Sequence, residues 1–87
     1  MISVTKTSAG HFEVIVSGQP STTHQVTLSE EYYDLLTKRT ISHESLLEKS
    51  FEFLLERESH TSILQSFDLS IINTYFPEYE KIILSST

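Results

Sequence analysis

Histidine is the side chain in this sequence best suited to bind a metal ion or to transfer a proton near neutral pH. Its four copies, His11, His24, His43 and His60, are spread through the chain. No two of them stand at the spacing of a helical metal-ligand pair, and the chain has no cysteine to supply a thiolate. We therefore expect no metal site, and we interpret His11 and His24 as surface residues on strands.

Motifs of nucleophilic catalysis and of nucleotide binding are missing from the sequence. There is no G-x-S-x-G, no P-loop and no G-x-G-x-x-G, and the glycines Gly10 and Gly18 stand alone. Most Ser and Thr residues stand where turns, helix caps or strands use their hydroxyls. The sequence therefore predicts no enzyme and no cofactor. The catalytic alternative would require a pocket that gathers His24 or His43 with a glutamate of shifted pKa.

Four glutamates recur at intervals of four residues, and we call Glu44, Glu48, Glu52 and Glu56 the acidic ridge. On a helix this spacing aligns the carboxylates along one face. Such a pattern commonly marks a solvated face opposite the core. The functional alternative is a strip that docks a basic partner.

Aromatic side chains are concentrated in the second part of the chain, at Tyr32, Tyr33, Tyr75, Phe76 and Tyr79. A tyrosine near a helix end commonly borders a core, whereas an exposed group of aromatics can bind a partner. We take Tyr75 and Tyr79, together with the acidic ridge, as candidate partner-binding residues.

Length and charge narrow the classes of function. The 87 residues suffice for one domain with one core, spanning residues 1–87. Six Lys and Arg residues against twelve Asp and Glu give a net charge of −6. Because nucleic-acid binding depends on clustered positive charge, we expect a protein partner instead. The longest apolar runs are three residues, so we also expect no signal peptide, no membrane span and a cytoplasmic location.

Residues 1–28 alternate apolar with polar side chains, which is the period of β-strands. Gly, Pro and Ser residues at 8–10 and 17–21 separate three such runs. We predict a three-stranded antiparallel meander with one buried face. That face is expected to carry Val4, Phe12, Val14, Val16, Val26 and Leu28.

Residues 29–87 follow helical rules, and three residues stand where helices should begin. Ser29 can cap a helix over residues 30–39, Ser42 one that reaches about residue 58, and Asp68 one that ends before Pro77. Pro77 can open a final helix. Residues 59–66 fit either a short helix or a turn. The sequence thus predicts an α+β fold with three or four helices packed on one face of the meander.

The second predicted helix has an unusually wide apolar side. Its inner residues are expected to be Leu46, Leu47, Phe51, Leu54 and Leu55, with Phe53 widening the stripe. The excess width around Phe53 leaves room for a contact between two copies of the chain, so a homodimer is one form of the expected protein partner.

Several phrases resemble a group of small uncharacterised bacterial proteins. They are HQVTLSEEYY (24–33), SFEFLLERE (50–58), SIL (62–64), FDLSII (67–72) and YFPEYE (75–80). The resemblance covers nearly the whole chain and implies a bacterial setting. It implies no activity, ligand or site residue.

Residues 23–58 also resemble ribbon-helix-helix regulators, which include antitoxins, in their order of strand, short helix, turn and longer helix. Residues 41–47 are similar to the start of that family's second helix. The resemblance implies that Thr23, Gln25 and Thr27 would read bases and that Ser42 would offer a backbone amide to phosphate. Our hypothesis is a non-enzymatic protein-interaction or regulatory module, with this DNA-binding regulator as the alternative. Pairing of residues 23–28 within their own chain would favour the former.

Overall fold

A computed structural model describes residues 1–86 of the chain. In chain order the elements are β1 (Ile2–Ser8), β2 (His11–Val16), β3 (Thr22–Thr27), α1 (Glu30–Thr37), α2 (His43–Leu55), a 3-10 turn (His60–Ser62), β4 (Ser66–Asp68), α3 (Ile71–Tyr75) and α4 (Tyr79–Ser86). None of the helices within residues 1–86 has the length and apolar character needed to cross a membrane.

The four strands form one mixed sheet in the order β1-β2-β3-β4. β1, β2 and β3 make the expected antiparallel meander, whereas β4 runs parallel to β3. The α+β class is confirmed, but the prediction of a three-stranded, wholly antiparallel sheet is wrong. The sequence did not reveal β4 because this strand has only three residues and one buried side chain, too few to show an apolar alternation. Its direction follows from the connection through α1 and α2, which carries the chain back over the sheet.

One face of the sheet forms the floor of the hydrophobic core. Of the six apolar side chains predicted there, five are buried, namely Phe12, Val14, Val16, Val26 and Leu28. The sixth, Val4, is half-buried. α2 lies over this face, where the Phe51 ring is 5.3 Å from the ring of His24 and 6.0 Å from that of Phe67. The opposite face is open and polar apart from Ile15, which is 38% exposed. Sheet and helix are stable together because each covers the apolar side of the other.

The predicted starts of the first two helices are confirmed. The Ser29 hydroxyl accepts a hydrogen bond from the Tyr32 backbone N–H, and the Ser42 hydroxyl accepts one from that of Ser45. Both helices end earlier than predicted. α1 stops at Thr37 because the next two residues take left-handed backbone angles, with φ of 50° and 60°. α2 stops at Leu55 instead of near residue 58.

The sequence predicted that Asp68 caps a helix, and this is wrong, because Asp68 is the last residue of β4. Its carboxylate accepts hydrogen bonds from the Ser70 backbone N–H at 3.1 Å and from the Thr27 hydroxyl at 2.8 Å. Partial burial opposes ionisation of Asp68, but the hydrogen bonds from Ser70 and Thr27 together outweigh it and lower the pKa of this carboxyl. Asp68 thus ties the turn before α3 to the neighbouring strand.

The inner side of α2 departs from its prediction in two places. Leu55, expected inside, is 37% exposed because it lies in the last turn of α2, on the side away from the core. Ser50 is buried instead, and its hydroxyl meets that of Tyr79. Phe53 is buried within the chain and makes T-shaped contacts with the rings of Phe76 and Tyr79. The apolar width that predicted a contact between copies is therefore occupied by the chain's own last helix.

Candidate functional site

The interpretation of His24 as a surface residue is wrong, since it lies on the buried face of β3 and is 1% exposed. Its Nδ1 is 2.7 Å from the Leu64 carbonyl oxygen, and its Nε2 is 2.9 Å from the Thr22 hydroxyl. A carbonyl can only accept, so Nδ1 donates to it, while Nε2 is paired with the Thr22 hydroxyl. Burial is tolerated because both ring nitrogens have partners. His24 therefore fastens the segment around Leu64 to the sheet.

His43 packs in an aromatic stack, 3.7 Å from the Tyr33 ring and 6.0 Å from the Phe12 ring between centroids. Its Nε2 lies 3.1 Å from a carboxylate oxygen of Glu30. This hydrogen bond is the main cause that lowers the pKa of Glu30. Glu30 is well exposed, and the pair lies outside the groove described next. The arrangement stabilises the junction of α1 and α2.

The other histidines are dispersed. His11 is exposed on β2, and His60 donates from Nε2 to the Pro20 carbonyl at 2.7 Å. Within residues 1–86, no group of three or more His, Asp or Glu side chains is arranged to hold a metal ion.

An apolar groove of about 340 Å³ runs between the C-terminal end of α2, the segment that leads into β4, and α3. We call it the α2–α3 groove. Buried side chains form its floor: Leu54, Ile63, Phe67 and Ile72. Two well-exposed side chains stand at its rim, Leu64 at 48% and Tyr75 at 65%. The groove is also lined by the half-buried Ile71, Phe76 and Glu58 and by Ser62.

Hydrogen bonds to β3 hold the wall of this groove in place. Besides the bond from His24, the Gln25 N–H donates to the Gln65 carbonyl at 2.7 Å, and the Leu69 N–H donates to the Thr27 carbonyl at 2.9 Å. α3 ends at Tyr75, two residues before Pro77, whose ring disfavours helical geometry in the residue before it. The groove is therefore formed by regular structure and its anchored connections.

Of the charged side chains around the groove, Arg57 has ion-pair partners and Glu58 has none within residues 1–86. The Arg57 guanidinium contacts Glu78 at 3.1 Å and Glu56 at 3.3 Å, and it lies 3.7 Å from the centre of the Phe53 ring. A hydrogen bond from its own backbone N–H, followed by that from Arg57, lowers the pKa of Glu78. The Glu58 carboxylate, in contrast, has no ion-pair or hydrogen-bond partner within residues 1–86.

The predicted partner-binding residues do not all share one surface. The four glutamates of the acidic ridge are exposed on the outer side of α2 and its C-cap, and Glu56 pairs with Arg57. Tyr75 is exposed at the groove. Tyr79 is not available to a partner, because it is fully buried against Phe53 and bonded to the Ser50 hydroxyl at 2.6 Å. Burial raises the pKa of Tyr79, so its phenol stays protonated.

The residues proposed to read bases lie on the open face of the sheet. Thr23 and Gln25 are exposed, while Thr27 is half-buried and donates to Asp68. β3 is paired on one side with β2 and on the other with β4. Within residues 1–86 the strand positions of this face include the acids Glu13 and Asp68 but no Lys or Arg.

Sequence reasoning missed Leu64, Ile71 and Glu58 as members of a site. The signal that could have revealed the site was the apolar pair Ile63-Leu64 inside an otherwise polar stretch. In the structure Ile63 is buried and Leu64 is exposed. No protein-family model matches the chain, and no curated protein or solved structure shows significant similarity to it.

Proposed function

We propose that this protein is a small non-enzymatic module that binds another protein through the α2–α3 groove. The observation that carries the proposal is the exposure of Leu64 and Tyr75 beside a floor of buried apolar side chains. Apolar surface in water costs about 25 cal/mol per Å², and concave apolar sites with a few polar groups are common binding surfaces. A partner that covers this groove would remove that cost.

The fixed walls of the groove support binding. His24, Gln25 and Thr27 hold the segment 64–69 to β3 through hydrogen bonds. A surface that is already ordered loses little conformational entropy when a partner docks. The anchored walls of the groove therefore support its proposed role as a recognition site.

The chemistry of the lining supports a binding role more than a catalytic one. Among the described residues that line the groove, Glu58 supplies the one carboxylate, and no histidine is present. Both nitrogens of His24 are engaged in structural hydrogen bonds, and the His43–Glu30 pair lies elsewhere. A general acid and base facing a shared substrate position, which hydrolytic or isomerising chemistry needs, are not found along this groove.

The pairing of β3 supports a protein partner over DNA. Ribbon-helix-helix regulators need this strand free to pair with the strand of a second copy, whereas β2 and β4 occupy both of its edges. At its strand positions within residues 1–86, the open face around Thr23 and Gln25 carries the acids Glu13 and Asp68 and no Lys or Arg to neutralise phosphate. The bacterial, cytoplasmic setting expected from the sequence is part of this proposal, and cell fractionation tests it.

Affinity purification of the full chain from its native cell tests the groove when two variants are compared. Leu64→Glu places a charge on the groove rim, and Leu35→Glu does the same on α1, where Leu35 is 57% exposed outside the groove. We expect a partner that mass spectrometry finds with the wild type and with Leu35→Glu but not with Leu64→Glu. Circular dichroism should show that both variants are folded.

Two outcomes would count against the proposal. If both variants retain the same proteins as the wild type, the groove is not the binding surface. If the chain is instead retained on duplex DNA in a salt-dependent way, and changing Thr23 and Gln25 abolishes this while Leu64→Glu does not, the DNA-binding alternative gains.

A further inference from the structure

Glu58 places an unpaired carboxylate on the wall of the α2–α3 groove. It lies just beyond the end of α2, half-buried beside Leu54, and its backbone N–H donates to the Leu54 carbonyl at 2.9 Å. Its carboxylate finds no cation and no donor within residues 1–86. A carboxylate beside apolar surface loses hydration, and a docking partner would remove more of it unless that partner supplies a cation or donor.

Arg57, the adjacent residue, is already committed within the chain. Its guanidinium is held by Glu56 and Glu78 and stacks on the Phe53 ring. Turning it toward Glu58 would break two ion pairs and the contact with the ring. No other cation within residues 1–86 contacts Glu58, so a positive charge that complements it would come from the bound molecule.

The surrounding charge selects among possible occupants of the groove. Glu52 is exposed on the last turn of α2, Glu56 follows at the C-cap, where it pairs with Arg57, and the whole chain has a net charge of −6. A second copy would bring the same net charge and a second Glu58, and a twofold contact through the groove would bring these like charges together. A basic segment meets an attractive potential instead.

We propose that the α2–α3 groove binds a short segment of a partner protein that carries one bulky apolar side chain and a nearby Lys or Arg. The apolar side chain lies on the floor formed by Leu54, Ile63 and Ile72, and the cation pairs with Glu58. A volume of about 340 Å³ suits one or two side chains, since small binding sites span about 300–1,000 Å³. This inference rests on the proposed function and adds the chemistry of the partner.

Selection of random twelve-residue peptides displayed on phage, with the immobilised full chain as bait, tests the inference directly. The baits are the wild type, Glu58→Gln and Glu31→Gln. Glu31 is exposed on α1, outside the groove, and forms no ion pair within residues 1–86, so both variants remove one negative charge. We expect the wild type and Glu31→Gln to enrich an aromatic or large aliphatic residue with a nearby Lys or Arg. Glu58→Gln should enrich the apolar residue alone.

A selected peptide then gives the size of the effect. Replacing its Lys or Arg by Gln should weaken binding to the wild type on the order of five-fold at low salt, as fluorescence anisotropy measures it. The same replacement should change binding to Glu58→Gln much less. Leu64→Glu should abolish binding of both peptides. Tyr75→Ser repeats that test at an exposed site in case Leu64→Glu does not fold.

The outcomes separate this inference from the proposed function. If Leu64→Glu or Tyr75→Ser abolishes peptide binding but basic residues are not enriched, or the two glutamine variants behave alike, the role of Glu58 is refuted while the groove remains a binding site. If no peptide depends on Leu64 or Tyr75, both fail. If sedimentation shows a dimer of the wild type that Leu64→Glu abolishes, the occupant of the groove is a second copy of the chain and not a basic segment.

Discussion

Ser50 and Tyr79 form a buried pair of hydroxyls whose separate removal should cost different amounts of stability. Both residues are fully buried, and their hydroxyl oxygens are 2.6 Å apart. Ser50 donates its single hydroxyl hydrogen to the Leu46 carbonyl at 2.8 Å. The Tyr79 hydroxyl must therefore donate to Ser50 Oγ, and this is its one hydrogen bond within residues 1–86.

The expected losses follow from which group is left without a partner. Ser50→Ala leaves the Tyr79 hydroxyl buried without an acceptor, and it should lower the free energy of unfolding by about 1–3 kcal/mol. Tyr79→Phe removes the donor and leaves Ser50 bonded to Leu46, so it should cost about 0.5–1.5 kcal/mol. The double variant has no orphaned hydroxyl, so its loss should fall short of the sum of the single losses by at least about 0.5 kcal/mol.

Urea denaturation followed by far-ultraviolet circular dichroism measures the four corners of this cycle. In a thermal melt of a domain of this size, each 1 kcal/mol of lost stability should lower Tm by about 4–8 °C. Tyr75→Phe is the matched control, since Tyr75 is 65% exposed and its change should stay within about 0.5 kcal/mol. Additive losses, or a control as costly as Tyr79→Phe, would refute the assigned hydrogen bond.

Three further measurements test the packing and the anchoring of the groove. Phe51→Ala empties a fully buried site and should cost about 3–5 kcal/mol in urea denaturation, whereas the exposed neighbour change Glu52→Gln should cost little; similar values would contradict the packing of α2 on the sheet. Folding lowers the pKa of Asp68 from 3.8, so the ionised carboxylate stabilises the fold fully well above pH 3.8. This stabilisation is lost as acid protonates the folded carboxyl. The urea midpoint of Asp68→Asn should therefore fall less between pH 6 and pH 2.5 than that of the wild type. Parallel pH curves would show that Asp68 does not contribute in this way. His24→Leu orphans the Leu64 carbonyl, so it should cost about 1–3 kcal/mol and speed amide hydrogen exchange in residues 63–66; unchanged exchange would mean that this bond does not hold the groove wall.

The exposed part of the groove shows why a binding surface is hard to find from sequence. Leu64 and Tyr75 are eleven positions apart, and neither belongs to a regular apolar period. Ile63, beside Leu64, is buried at 5% exposure, so two adjacent residues of the same chemical type have opposite roles. Only the path of the chain around β4 decides which of them faces solvent.

His24 and Tyr79 illustrate the same limit for polar groups. Position on a strand suggested that His24 was exposed, but its alternation with Val26 places both on the inner face. A buried imidazole or phenol is acceptable when its polar atoms find partners, and those partners are Leu64, forty residues from His24, and Ser50, twenty-nine residues from Tyr79. Such distant pairings have no signature in a single sequence.

The amino-acid sequence alone determined the three antiparallel strands, the starts of α1 and α2 at Ser29 and Ser42, and most of the inner side of α2. These features depend on neighbours within a few residues, because strand alternation, helix capping and apolar periodicity are local properties of the backbone. The tertiary structure decided the fourth strand, the burial of His24 and Tyr79, and the groove beside Glu58. Each of these depends on which distant segments meet, and that is set by the joint packing of the whole chain around one core.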